Sequence, residues 1–120
     1  MASTKTLTVL ADNVTVNTSA AFNTSVGDLQ DGYGAALYIK NTNGATGPSA
    51  APTFLIQGSA DNTNYYDFGR ALVPTLGNSV VTSWGVLEIP IGAKYLKVYV
   101  TPSTGQNTTL RVEMVEVTVV

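Results

Sequence analysis

Apolar and polar residues alternate with period two along almost the whole chain, and no stretch of a dozen residues keeps the spacing of three and four that an amphipathic helix requires. Successive side chains of a strand point to opposite faces, so this pattern specifies half-buried strands and leaves little room for helix. A chain of 120 residues can bury one core between two sheets but not two independent cores. A single domain over residues 1–120 is therefore expected, with residues 1–12 set apart as a candidate N-terminal arm.

The strands can be placed from the alternation and from the turn residues that interrupt it. Leu7 and Val9 share one face of a first strand, and Val14 and Val16 repeat the pattern after the turn-like Asp12-Asn13, as one bent strand or two. The Gly- and Asp-rich stretch from Gly27 to Gly34, with Asp31 in it, reads as a turn. Leu37 and Ile39 against Tyr38 and Lys40 define a strand with one wetted face, and Phe54 and Ile56 point inward from Thr53 to Ser59. Between these two strands, Asn41 to Pro52 reads as an exposed, mobile loop. Asp61 to Asn64 and Pro74 to Asn78 are hairpin-grade connections, and Gly85 to Ile91 is expected to continue its strand past a glycine bulge. Leu96, Val98 and Val100 oppose Tyr95, Lys97 and Tyr99 in a strand with both faces occupied.

In the last segment the apolar phase flips, from the even positions Leu110, Val112 and Met114 to the odd positions Val115, Val117 and Val119. A strand with one buried face cannot change phase without an extra residue, so a bulge or bend is expected between Met114 and Val115. The total is about eight strands with turn signals roughly every ten residues, which predicts an all-β antiparallel β-sandwich, jelly-roll or immunoglobulin-like. Val117, Val119 and Val120 at the end of the chain are expected in the sheet or at a subunit interface. Leu7, Val9 and Leu10 of the first strand are the matching candidates, since strand edges expose unpaired amides and carbonyls.

Composition excludes more chemistry than it suggests. The chain has no histidine and no cysteine, which removes Ser-His-Asp triads, thiol nucleophiles, the common zinc sites and disulfides together. Asp61 with Asp67, and Glu113 with Glu116, are the carboxylate pairs available for hydrolysis, but each is better read as turn or surface chemistry. No catalytic residue, metal site or cofactor is therefore expected. The six basic residues are scattered and the net charge is −2, so nucleic acid is not an expected partner. No apolar run reaches the length of a membrane helix, so no membrane partner is expected either. The Asn-x-Ser/Thr triplets at Asn13, Asn17, Asn23 and Asn107 are what chance produces in a chain rich in Asn and Thr.

Asn64, Tyr65, Tyr66 and Asp67 form the best candidate ligand surface, two aromatics beside polar groups in the manner of a sugar-stacking platform. The same Asp61-Asn62-Thr63-Asn64 loop offers oxygen ligands but does not fit the EF-hand template. Phe54, Phe68 and Trp84 are expected to be core or interface anchors.

Two segments, Thr53 to Phe68 (TFLIQGSADNTNYYDF) and Lys94 to Pro102 (KYLKVYVTP), resemble the small β-sandwich virion proteins of tailed bacteriophages, the capsid decoration or cement proteins. The resemblance extends from about Ala35 to the end of the chain and consists of strands and turns, not of a catalytic signature. It implies a non-enzymatic protein, made in the host cytoplasm, that binds the major capsid protein on the outside of the assembled capsid and stabilises it, commonly as a homotrimer. Discoidin-like sugar-binding domains show a similar x-Gly-Ser-x-Asp strand and turn, which makes a carbohydrate-binding module of a phage tail or surface assembly the alternative.

Overall fold

The computed structural model describes residues 3–30, 32, 34–89 and 92–119, without the side chain of Val119. Expectations that fall on Ala2, Asp31, Ile91 and Val120 lie outside the described residues. Among the described residues nine strands follow one another: β1 (Ser3–Val16), β2 (Phe22–Asn23), β3 (Gly27–Asp28), β4 (Ala35–Asn43), β5 (Thr53–Ser59), β6 (Tyr65–Asp67), β7 (Val81–Ile89), β8 (Tyr95–Thr101) and β9 (Thr108–Val119). One sheet has the order β1-β9-β4-β7; the other has the order β2-β8-β5-β6, with β3 also paired to β8.

All these pairings are antiparallel, and they nest. The first strand pairs with the last, β2 and β3 with β8, β4 with β7, and β5 with β6. Nested pairs of this kind are one long hairpin rolled into two layers, the connectivity of a jelly roll. Since β2 and β3 occupy successive parts of one edge of β8, the expected eight strands and the observed nine are the same architecture. The structure selects jelly-roll connectivity over the immunoglobulin-like alternative.

The alternation read from the sequence determines which side chains fill the space between the layers. Leu37 and Ile39 of β4, Phe54 and Ile56 of β5, Leu96, Val98 and Val100 of β8, and Leu110, Val112 and Met114 of β9 are all buried. Phe54, fully enclosed, meets Trp84 edge-on at a centroid distance of 6.0 Å, and Phe68 packs against the same core. Burying a side chain of that size contributes about 2–3 kcal/mol. At Gly27 a Cβ would stand 2.6 Å from the sulfur of Met114, so glycine there is what lets β3 close over β9.

The strands themselves decide the local expectations. Of the two alternatives for the first strand, one bent strand is observed: β1 runs through Asp12-Asn13 and absorbs the interruption as register shifts after Val9 and Ala11, with Asn13 at φ 49°. The segment from Gly27 to Gly34 is not wholly a turn, because it opens with β3. The bulge expected at Gly85 is present, and the left-handed residue in it is the neighbouring Val86 at φ 54°.

The stretch from Gly44 to Pro52 is pinned along its length, not free. Gly47 N–H donates to Asn78 Oδ1 at 2.8 Å, Ser49 N–H donates to Thr104 O at 2.8 Å, and Pro48 and Pro52 are buried. A Cβ on Gly47 would lie 2.3 Å from the Gly77 carbonyl, so two loops touch through their backbones there. Asn43 fastens the second loop from inside. Only 4% exposed, it donates through Nδ2 to the carbonyls of Thr75 and Gly77 and accepts from Asn41 Nδ2.

No bulge separates Met114 from Val115. Along β4, β9 keeps unbroken register from Glu116 opposite Ala35 to Thr108 opposite Asn43. Val115 and Val117 therefore stand on the face opposite Leu110, Val112 and Met114, which is the outer face of the sheet.

Candidate functional site

The outer face of the first sheet carries the strongest candidate site. Register places Leu7 beside Val115, Val115 beside Ala36, Lys5 beside Val117 and Tyr38 beside Glu113. The result is an apolar strip running from β1 across β9 to β4, with Leu7 55%, Tyr38 39% and Val9 38% exposed. Exposed apolar side chains scattered singly are ordinary, but a contiguous strip across three strands is the form that interaction sites take.

Two shallow troughs flank this strip. One of about 360 Å³ is lined by Lys5, Ala36, Tyr38, Glu88, Val115 and Val117 among others, and one of about 270 Å³ lies between Tyr38, Lys40, Ser83, Gly85, Arg111 and Glu113. Arg111 donates to Glu113 at 2.6 Å and to Asp12 at 2.5 Å, joining β1 to β9 on this surface. The bond to Glu113 and the nearby acidic charges hold the guanidinium proton even more firmly than usual. With one cation and two anions, the group keeps a net charge of −1 at one border of the strip.

The expected interface residues divide between this face and the core. Leu7, Val9 and Val117 lie on the outer face, whereas Leu10, expected beside them, is 3% exposed and belongs to the core. Alternation alone turns Leu10 inward from Val9, and the register shift that follows brings Ala11 onto the same core face. The side chain of Val119 and all of Val120 lie outside the described residues. Val115, Ala36 and Tyr38 complete the strip and were not expected in it. The signal for Val115 was the odd-phase run itself, which matches the odd phase of Leu7 and Val9 on the neighbouring strand, whereas Ala36 and Tyr38 join the strip through register alone.

The candidate ligand surface is taken apart by its own strand. In β6, Tyr65 pairs with Ser59 and Tyr66 with Gly58, so the two rings point to opposite faces. Tyr65 lies under Lys97, whose ammonium is 4.1 Å from the ring centroid, and its hydroxyl donates to Asn62 Oδ1. Burial, and then the neighbouring Tyr95 and Asp61, push that hydroxyl up, which keeps it a donor. Tyr66 is 72% exposed over a depression of about 340 Å³ lined by Gly58, Ala60, Asp67, Phe68 and Gly92 among others.

Asn64 and Asp61 are occupied with the loop itself. The Asp61 carboxylate accepts from the amides of Asn64 and Thr63, from Asn64 Nδ2 and from Ser59 Oγ, and these bonds hold it well below the usual carboxylate range. Asp67 accepts from Gln57 Nε2 at 3.1 Å. Among the described residues no three His, Cys, Asp or Glu side chains are grouped to hold a metal ion, and no helix is long and apolar enough to cross a membrane.

No protein-family model and no curated protein matches the chain, so its similarity to known proteins is one of fold. The crystal structure of the VP2 subviral particle of infectious bursal disease virus superposes with a TM-score of 0.61 at 10% identity, covering 97% of this chain and 33% of that one. The structure of the Gt strain of the same virus gives 0.64 at 9% identity, with 97% and 32% covered. A subunit of the Bacillus endospore appendages, described as disulfide-linked pili, gives 0.54 at 10% identity and covers 100% and 93%. This chain spans about a third of the length of the viral proteins it matches. At these identities the likeness establishes an all-β sandwich fold that also serves in viral particles and pili.

Proposed function

We propose that the protein is a structural component of a bacteriophage virion that docks on the outside of the assembled capsid, against the major capsid protein, and stabilises it as a decoration or cement protein. The observation that carries this reading is the apolar strip of Leu7, Ala36, Tyr38, Val115 and Val117, which a free domain would have no reason to leave in water. The reading is supported by the resemblance of the Thr53 to Phe68 and Lys94 to Pro102 segments to tailed-phage decoration proteins, and by a fold shared with viral particle proteins. Function in this reading is binding, with no catalysis. A shell presents many copies of one docking site, so modest contacts per subunit become strong when an oligomer engages several of them.

The test is co-sedimentation with capsids that lack the protein. Saturable binding at a fixed ratio to the major capsid protein, lost in Val115→Glu and Val117→Glu, is expected. Native protein that stays in the supernatant at all concentrations would sink the reading.

The exposed ring of Tyr66 over its glycine-lined depression favours a second reading, a carbohydrate-binding module. Glycan binding that disappears in Tyr66→Ala, by a chain that ignores capsids, would replace the first reading with this one.

A further inference from the structure

A jelly roll leaves four sheet edges, and here they are unequal. The β6 edge is three residues long, and the β2 and β3 edge is broken into two-residue pieces. The β7 edge is interrupted by the bulge at Val86. These are the usual devices by which an edge is kept from pairing with another chain. Only β1 lacks them: from Ser3 to Val9 it keeps unbroken register with β9, is exposed throughout, and pairs with no other described strand on its far side. The open stretch ends at Leu10, whose carbonyl accepts from the Ser25 amide at 3.1 Å.

We infer that this edge is completed by the β1 strand of a second copy, antiparallel about a two-fold axis at Leu7. A head-to-tail ring, such as the trimer the resemblance implies, would need a second good edge to receive β1, and β7 with its bulge does not offer one. Two-fold pairing uses the same good edge twice. Centred on Leu7, the pairing sets Lys5 of one copy opposite Val9 of the other, and Thr6 opposite Thr8.

The outer face is then complementary in both polarity and charge. Leu7 meets its own equivalent, flanked on each side by Val115, so the two apolar strips fuse into one. Lys5 arrives beside Val9, one strand away from Glu113 and the net −1 group it forms with Arg111 and Asp12. That separation is about 10 Å between Cα atoms, within reach of a lysine side chain. The two Lys5 ammonium groups do not face each other. The eight-stranded outer face so formed presents the proposed docking strip twice, although the pairing does not depend on the capsid reading.

The experiment is done on the purified full chain without capsids. Light scattering is expected to give twice the mass of one chain for the native protein. Leu7→Lys and Leu7→Glu, each of which sets like charges against themselves across the axis, are expected to give single chains with unchanged circular dichroism, and an equimolar mixture of the two to recover the pair. Because the chain lacks cysteine, Leu7→Cys is expected to form a disulfide-linked dimer under mild oxidation, whereas Leu76→Cys, equally exposed but away from this edge, is not. A native mass of one or three chains, or a Leu7→Lys variant that still pairs, would overturn the inference without touching the co-sedimentation result.

Discussion

Within the β1–β9 ribbon two halves can be compared directly, because they share strands, pairing and composition. In the half from Leu10 to Val16 against Thr108 to Val112, one face is sealed by the second layer, and Leu10, Val16, Leu110 and Val112 are nearly or fully buried. In the half from Ser3 to Val9 against Glu113 to Val119, every described β1 residue is exposed, and beyond Met114, the last residue of β9 in the core, Val115 and Val117 stand on the outer face with Leu7 and Val9. The same ladder of backbone bonds runs through both. What differs is whether a second sheet lies over it, so the first half holds the domain together and the second is free to hold something else.

Truncation should separate the halves most sharply. Leu110→Ala in the sealed half is expected to cost about 2–5 kcal/mol of folding stability, read from urea unfolding. If it cost no more than a surface substitution, the two halves would not differ as described. Next comes Asn43→Ala, which strips the Thr75 and Gly77 carbonyls of their donor and leaves Asn41 Nδ2 unpaired; about 1–3 kcal/mol is expected.

A smaller effect is expected from acid. Because bonds in the folded loop depress the Asp61 carboxylate, it contributes stability above the ordinary carboxylate range, and that contribution is lost as pH falls below about 4. Asp61→Asn should flatten this part of the stability profile, and an unchanged profile would assign the acid sensitivity elsewhere. The smallest effect is that of Leu7→Ala in the open half, expected to change folding stability by less than about 0.5 kcal/mol while weakening self-association measured by sedimentation. A large loss of folding stability there would mean that the open half also serves the domain.

The comparison also explains what the sequence could and could not reveal. Where a strand lies between layers, as at Leu37 and Ile39 or Phe54 and Ile56, period two fixes both strand and face, and those elements were legible. At Met114–Val115 the same rule misled, because it assumes that the apolar face is the buried one. Beyond Met114, β9 leaves the cover of the second layer, and its valines change sides without any change in backbone. The candidate site was half legible for the same reason: Leu7, Val9 and Val117 stood out as apolar residues near chain ends and Val115 shared their odd phase, while Ala36 and Tyr38 join them only through register.

Polar anchoring left no such trace. Asn41 and Asn43 occupy inward positions that a hydrophobic pattern records as interruptions, and the loop they secure therefore read as mobile. Strand order was equally silent, since nesting of β1 with β9 across the whole chain is a long-range property that no local pattern encodes.

Asn43 is followed by Gly44, the pair of residues at which asparagine side chains most readily cyclise onto the next amide and age to aspartate or isoaspartate. Cyclisation needs the side-chain carbonyl carbon to swing toward the Gly44 nitrogen, but both ends of the Asn43 amide are held, Nδ2 by two carbonyls and Oδ1 by Asn41. The clamp that secures a loop is thus also a brake on chemical decay, and the chemical lifetime of the folded chain is set partly by one buried amide and not by its exposed surface.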